Sequence, residues 1–228
     1  MLTGAGMSAP SGVPTFRGPA GLWKHHRPEI LATPGAFESN PALVWEWYDW
    51  RRQRVATCEP NDGHHVLARW SHQPVAFKVI TQNVDGLHER AETAHVVRFH
   101  GSIWQFRCWR RCKTPSQPWW DNTVPLTTLP PRCPDCGGLA RPGVVWFGEP
   151  IDPIILRQSL TATQCDVFLT VGTSAAVYPA ASLIDAAKIN GAFTVEINLE
   201  TTTASSNVDL VLQGSADDIL KAIDTARS

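Results

Sequence analysis

Charge of either sign is sparse and nearly balanced: 20 Lys and Arg face 21 Asp and Glu over 228 residues, leaving a net charge of −1. That balance excludes a global field drawing the chain to nucleic acid or to an anionic membrane, so partners must be recognised locally. Lysine is the scarcer cation, 5 against 15 arginines. Long apolar runs are lacking too. None approaches the ~18 residues that cross a bilayer, and no basic-then-apolar leader precedes the first glycines, so a soluble, cytoplasmic monomer with no membrane partner is expected. Six cysteines without a secretory signal favour metal binding or free thiols over disulfides. With 43% hydrophobic and 18% charged residues, long solvated tails are not expected, and the length suits one main core with a small appendage.

What is present begins with Met1-Leu-Thr-Gly4-Ala5-Gly6-Met-Ser8-Ala9. Gly4 and Gly6 permit a close backbone approach that a Cβ would forbid, and Ala5, Ser8 and Ala9 keep the loop narrow enough for amides to face a pyrophosphate. Read alone, the same glycines make a tight turn after a strand. Only three residues precede Gly4, so the feeding strand is clipped: either the true start lies upstream, or a very short strand is covered by its neighbours.

Residues 19–41 hold Gly, Pro and His without a sustained period, a long excursion over the cofactor side. Asn40 caps a helix with Pro41 in its first position, running to about Thr57 and placing Tyr48 and Arg51 on one face. A second helix starts near Asn61. Residues 75–81 read as a buried parallel strand whose carboxyl end delivers Gln82, Asn83 and Asp85, where ligands of open α/β sheets bind; an Asn-x-Asp turn capping the next helix is the other reading. Another strand ends at His100, either a structural histidine or a general base. The other seven histidines are assigned to surface or packing.

Cys108-x3-Cys112 and Cys133-x2-Cys136 form two short-spaced pairs suited to a closed, structural Zn(Cys)4 site; Cys58 and Cys165 are ordinary thiols. Arg107, Arg110, Arg111 and Lys113 around it give a weak hint of nucleic-acid binding. Residues 141–149 read as an extended apolar segment, either a core strand or an edge pairing with a substrate peptide. Residues 167–171 form a strand, Gly172-Thr173-Ser174 its loop, and 179–190 a helix stopped by Gly191. The strand at 193–197 ends in Asn198-Leu-Glu200, and a strand near 210–212 and a helix from Ala216 to about Ala226 close the chain. The alternation predicts an α/β fold: a Rossmann-like parallel sheet with helices on both faces, from residues 1–102 (with a helical excursion over about 19–72) and 142–228, and a small zinc-binding module at 103–141.

Taken in order, the glycine loop with Gly12-Val-Pro-Thr15-Phe16-Arg17-Gly18, Thr81-Gln-Asn-Val-Asp-Gly-Leu-His88, His100-Gly-Ser102, the cysteine pairs, Val144-Val-Trp-Phe-Gly-Glu149 and Val171-Gly-Thr-Ser174 resemble the sirtuins, NAD-dependent protein-lysine deacylases. The resemblance covers Leu2 to about Ala216. It implies NAD+ and one structural Zn2+ as cofactors, and acylated lysine proteins or peptides as partners. It further implies cofactor contacts from Gly4, Ala5, Gly6, Ser8, Thr15, Phe16, Arg17, Trp23, Gln82, Asn83, Asp85, Gly172, Thr173, Ser174, Asn198, Glu200 and Ala216. His100 would be the general base, with Asn83 beside it in the catalytic site. Val145, Trp146, Phe147, Gly148 and Glu149, with Val177 and Tyr178, would sandwich the acyl-lysine peptide. The pair Tyr48 and Arg51, with Ala32 sixteen positions before Tyr48, resembles the branch that removes succinyl, malonyl and glutaryl groups, and implies that preference over acetyl.

Three alternatives remain. A general deacetylase would need no such pair. A nicotinamide dehydrogenase would want an acidic ribose ligand about 20 residues past the loop, where Trp23-Lys-His-His-Arg27 stands instead. A zinc-ribbon nucleic-acid module would explain the cysteines and leave every other block idle.

Overall fold

The computed structural model describes residues 1–15, 28–112 and 117–227. Phe16, Arg17, Trp23, His25, His26 and Lys113 lie outside the described residues. The chain runs β1 (Leu2–Thr3), α1 (Ala5–Ser8), α2 (Pro28–Leu31), α3 (Pro34–Ser39), α4 (Pro41–Ala56), α5 (Asp62–Ser71), β2 (Val79–Thr81), α6 (Leu87–Arg90) and β3 (Val96–Arg98). There follow β4 (Gly101–Cys108), β5 (Trp119–Trp120), β6 (Ala140–Val144), α7 (Pro153–Thr161), β7 (Val167–Val171), α8 (Ser182–Ile189), β8 (Phe193–Asn198), β9 (Leu210–Gln213) and α9 (Ala216–Arg227).

Six strands pair in parallel in the order β3-β2-β1-β7-β8-β9, and the other three form an antiparallel sheet, β5-β4-β6. In the parallel sheet, Leu2 lies opposite Ile80 and Thr170, and Thr3 opposite Thr81 and Val171. Successive residues of a strand face opposite sides, so each strand feeds two cores. Leu2, Ile80, Val97 and Phe168 pack with Leu183, Ile184 and Ala187 of α8. Val79, Val171, Val195 and Ile197 pack with Val66, Leu67 and Trp70 of α5 and Leu220 of α9. Helices therefore cover both faces, as expected of a Rossmann-like sheet whose strands read as continuous apolar runs. β1 is only two residues long, but both are fully buried and paired on either side.

Strand order reverses between β1 and β7, because the first half of the chain adds strands outward on one side and the second half on the other. The crevice outside their carboxyl ends is the ligand position of such sheets.

A third core joins the helical excursion to the small sheet. Asn40 Oδ1 accepts the Leu43 N–H at 3.0 Å, with Pro41 where no donor is needed, and so starts α4. Its Val44, Trp45, Trp47 and Tyr48 pack with Ile103 and Phe106 of β4 and Ala140 and Val144 of β6. Arg52 is fully buried against that sheet, donating to the carbonyls of Ile103 (2.8 Å), Asp121 (2.9 Å) and Thr123 (2.8 Å) and to the Asp121 carboxylate (3.3 Å).

The structure departs from the sequence reading in four places. Residues 75–81 contribute only Val79–Thr81 to the sheet, because β1 and β3 offer partners over that stretch alone, and Val75 is 63% exposed. Residues 28–39, read without a period, carry two short helices, α3 being capped by Thr33 Oγ1 accepting Ala36 N–H at 3.1 Å. The segment 141–149 is extended only to Val144, after which Trp146 turns into the third core and Gly148 takes φ +84°. The helix expected from residue 179 begins at Ser182, since Pro179 to Ala181 form tighter turns, Ser182 N–H reaching the Pro179 carbonyl.

Because Arg52 satisfies three carbonyls and one carboxylate in a buried place, Arg52→Met should cost about 3 kcal/mol or more in a denaturant melt. A loss below ~1 kcal/mol would show that water replaces those bonds without difficulty.

Candidate active site

At the switch point two loops touch backbone to backbone. Gly4 N–H donates to the Val171 carbonyl at 2.9 Å and Gly6 N–H to the Gly172 carbonyl at 2.7 Å. A Cβ on Gly6 would lie 2.7 Å from Gly172 Cα, and Gly172 itself holds φ +59°. The glycines are thus required by the approach of the two loops to each other. The amides of Gly4, Gly6 and Met7 are engaged within the protein, Met7 N–H on the Gly4 carbonyl.

Polar side chains converge on this junction from the ends of three strands. From the end of β2, Gln82 Nε2 donates to Thr173 Oγ1 at 2.8 Å, and Asn83 Nδ2 donates to the Gly4 carbonyl at 2.9 Å and to Ser8 Oγ at 3.1 Å. Asn198, at the end of β8, donates to the Thr173 carbonyl at 2.9 Å. His100 sits half-buried past β3, with Nδ1 3.2 Å from the Gln82 carbonyl. A carbonyl can only accept, so Nδ1 carries the proton and Nε2 is left as the basic nitrogen. Burial lowers the His100 pKa, and the Gln82 carbonyl partly opposes that shift, so the ring is neutral at neutral pH.

Asp85 is buried, and burial raises its pKa against the opposing bonds from Leu87 N–H and the Ser8 side chain. Its Oδ1 accepts Leu87 N–H, the first amide of α6, at 2.9 Å, which is the turn at the helix start that the other reading of this stretch described.

Beneath these residues lies a pair of histidines whose place in the site the sequence did not reveal. His64 Nδ1 accepts the Asn61 N–H at 3.3 Å, so its Nε2 carries the proton and faces Ser8 Oγ at 3.5 Å. Ser8 therefore accepts from both His64 and Asn83, leaving its own proton for Asp85. His88 Nε2 donates to Thr3 Oγ1 at 3.0 Å, which in turn donates to Thr81 Oγ1. Both rings are buried and their centroids are 4.9 Å apart. Burial, with repulsion from His88 and His65, holds the His64 pKa near 2, and burial holds His88 near 4. The one legible signal was Asn61-x-x-His64, the start of α5, where the His64 ring closes a capping box.

A second group of side chains comes from α4. Tyr48 is buried; its oxygen accepts the Trp146 Nε1–H at 2.9 Å, and burial raises its pKa against the Arg51 charge. The Arg51 guanidinium stacks over the Trp47 ring at 5.0 Å and the Tyr48 ring at 5.7 Å. Burial lowers the Arg51 pKa, with Tyr48 and Asp85 opposing. Asp85 links this group electrostatically to the nucleotide crevice. Ala32 is buried in the same core, its carbonyl accepting Phe147 N–H at 2.9 Å.

Among the remaining expected residues, Val145 packs in the core that holds Ala175 and Ala180, so the segments 145–149 and 175–180 adjoin. Phe147 and Tyr178 are exposed, 43% and 73%. Glu149 is tied to Arg141 and Trp146, Glu200 is exposed beyond β8, and Ala216 is core beside Met7. Ala5, Thr15, Ser174 and Val177 are half-buried.

The four thiols Cys108, Cys112, Cys133 and Cys136 lie within 4.8 Å of one another, with Sγ–Sγ separations of 3.7 Å for Cys108–Cys136 and for Cys112–Cys133. A tetrahedron of thiolates around zinc at ~2.3 Å has edges of ~3.8 Å, whereas a disulfide is ~2.05 Å. The set fits structural Zn2+, bound by all four sulfurs with no position left for water.

A glycine-bound crevice at the topological switch point, a neutral histidine at its rim and a closed four-thiol metal site together define a nucleotide-dependent enzyme with a structural zinc. The model of the Sir2 family matches residues 4–179. An NAD-dependent protein deacylase of Aquifex aeolicus is 49% identical over 224 residues, covering 97% of this chain and 92% of the relative. NAD-dependent protein deacylase 2 of Pyrobaculum aerophilum is 49% identical over 221 residues, 96% of this chain and 87% of that one. A crystal structure of a Sir2 homolog–NAD complex superposes with a TM-score of 0.92 at 42% identity, covering 99% of this chain and 87% of that chain. A Sir2 variant in complex with a p53 peptide and NAD superposes at 0.86, 28% identical, with 99% and 91% covered. The chain belongs to the Sir2 family. It is an NAD-dependent protein deacylase with NAD and a structural zinc as its cofactors. Among the described residues no helix is long and apolar enough to cross a membrane.

The buried histidines give a pH prediction. Unfolding frees both rings to protonate at their ordinary 6.5, so below that pH the unfolded chain binds more protons. Their contribution is complete above pH 6.5 and is lost as pH falls towards the folded-state value of His88, about 4. Stability should drop by up to ~1.4 kcal/mol per pH unit per histidine across that window, and His88→Gln should make the drop shallower in denaturant melts. Parallel wild-type and variant curves would contradict neutral burial of His88.

Proposed function

We propose that this deacylase prefers acidic acyl groups, succinyl or malonyl, on lysine. The observation that carries this is the Tyr48 and Arg51 pair on one face of α4: a desolvated guanidinium and a buried phenol in the wall that includes Ala32. A slot for an acetyl methyl gains nothing from two such polar groups, whose desolvation is unfavourable, whereas a distal carboxylate is matched by them through charge-assisted hydrogen bonds. Ala32 keeps the slot wide. A general deacetylase is the competing reading.

In this proposal bound NAD would supply an electrophilic ribose carbon for the acyl oxygen, with nicotinamide as the leaving group, and one water would balance release of free lysine and O-acyl-ADP-ribose. Ser8, Gln82, Asn83, Asp85, Thr173, Ser174 and Asn198 line its crevice, and Asn83 and Asp85 orient the nicotinamide end. Main-chain bonds from 145–149 and 176–179 hold the peptide without demanding much sequence. His100 Nε2 takes a proton from a ribose hydroxyl, its ring held by the Nδ1–H bond to Gln82. Residues 103–141 serve as a zinc module inserted between the two halves of the nucleotide domain. The partners are acylated proteins met by a monomer in the cytoplasm.

Two measurements test this. Arg51→Met should lower kcat/KM for a succinyl-lysine peptide by about 10- to 150-fold, the worth of one hydrogen bond to a charged group, while acetyl-lysine activity stays flat or rises. Equal losses on both would make Arg51 a fold residue and the protein a general deacetylase. His100→Ala should fold and bind NAD yet lose deacylation by orders of magnitude; because burial lowers the His100 pKa, wild-type kcat should hold until pH falls below 6.5. Near wild-type turnover in the variant, or an acid limb above 6.5, would remove His100 from the role.

A further inference from the structure

Trp146 stands in the segment expected to hold the peptide, yet its side chain is buried, 2% exposed, and clamped from three directions. The Arg141 guanidinium carbon lies 3.6 Å from the indole centroid. Arg141 is itself held by both Glu149 oxygens, Nη1–Oε1 at 2.5 Å and Nη2–Oε2 at 2.8 Å, and by the Val144 carbonyl at 3.0 Å. Glu149 Oε2 closes the unit by accepting the Trp146 backbone N–H at 2.9 Å. The indole N–H so fixed points at Tyr48 Oη, 2.9 Å away.

An indole N–H can only donate, so at this contact the phenol oxygen accepts. Tyr48 has one proton, which must then be directed away from Trp146. Left to rotate, the phenol could present a lone pair instead, and a lone pair repels a carboxylate. We propose that Trp146 is a specificity-determining positioning residue: by donating Nε1–H to Tyr48 Oη it fixes Tyr48 as a hydrogen-bond donor to the distal carboxylate of an acidic acyl-lysine, beside Arg51. The inference rests on the acidic-acyl reading above. The cation over the indole face polarises the ring and strengthens its N–H as a donor. Burial, which raises the Tyr48 pKa, keeps the phenol proton in place at neutral pH.

Trp146→Phe retains a ring in the core beneath Arg141 and deletes the donor together with part of the indole's packing against Phe37 and Trp109, a loss common to both acyl chains. It should lower kcat/KM for a succinyl-lysine peptide by about 3- to 10-fold more than for the same peptide carrying acetyl-lysine, the worth of one ordinary hydrogen bond. In a Tyr48→Phe background the same change should add nothing to that difference, because the hydroxyl it orients is gone. Additive differences in the double variant, or equal losses on both acyl chains, would overturn the inference. A second measurement on the unmodified protein stands if Trp146→Phe fails to fold. The chain has two tyrosines, so ring-carbon-labelled tyrosine gives two NMR lines, from buried Tyr48 and exposed Tyr178. Adding succinyl-lysine peptide should shift the Tyr48 line and acetyl-lysine peptide should not; equal shifts, or none, count against the proposal. A wild type that handles acetyl-lysine as well as succinyl-lysine overturns the underlying reading and this inference with it. A wild-type preference that survives Trp146→Phe overturns this inference alone.

Discussion

Two backbones meet at the centre of the parallel sheet with no room for a side chain between them. The loop after β1 and the loop after β7 are joined by the Gly4–Val171 and Gly6–Gly172 hydrogen bonds, and a Cβ on Gly4 or Gly6 would lie within 2.7 Å of atoms across the gap. That approach fixes where the crevice lies, because it brings the carboxyl ends of the two central strands together at the point where strand order reverses. Ser8, Gln82, Asn83 and Thr173 are then tied across it by their own hydrogen bonds. These bonds hold the four side chains in fixed positions, which is what a reaction dependent on positioning requires.

The helix α4 links this crevice to the zinc-binding end. On one face Tyr48 and Arg51 form the wall assigned here to acyl recognition. On the other, Asp49 Oδ1 accepts Leu126 N–H at 2.9 Å and Arg52 binds the Ile103, Asp121 and Thr123 carbonyls. Ile103 belongs to β4, which ends at Cys108, a ligand of the four-thiol site. Four residues of one helix, Tyr48, Asp49, Arg51 and Arg52, thus lie between the sheet that carries the four-thiol site and the wall assigned here to acyl recognition.

Much of this was legible because the signals are local. Asn40-Pro41 and Asn61 mark helix starts through their caps, the apolar run at 167–171 marks a parallel strand, and the cysteine spacing marks a metal site before any geometry is known. What was not legible depends on distant partners. The outer limits of β2 are set by where β1 and β3 stop pairing, not by the apolar run at 75–81. The contacts of Trp146 could not be read either, because sequence shows its neighbours in the chain and not Arg141 stacked on it or Tyr48 beside it. His64 and His88 are buried packing residues as expected, but only the fold shows that their rings lie against Ser8 and Thr3. Nor could the sequence show that Gly4 and Gly6 lie against Gly172 and Thr173, residues far away in the chain.

The account's central claim is that the Tyr48 and Arg51 wall selects an acidic acyl chain. The most direct test offers the enzyme and NAD an equimolar mixture of one peptide carrying acetyl-, malonyl- and succinyl-lysine, and weighs the acyl-ADP-ribose products by mass spectrometry at low conversion. Malonyl- and succinyl-ADP-ribose should dominate by at least about tenfold, since one charge-assisted hydrogen bond is worth about that factor. A product pool made mostly of O-acetyl-ADP-ribose would contradict the claim.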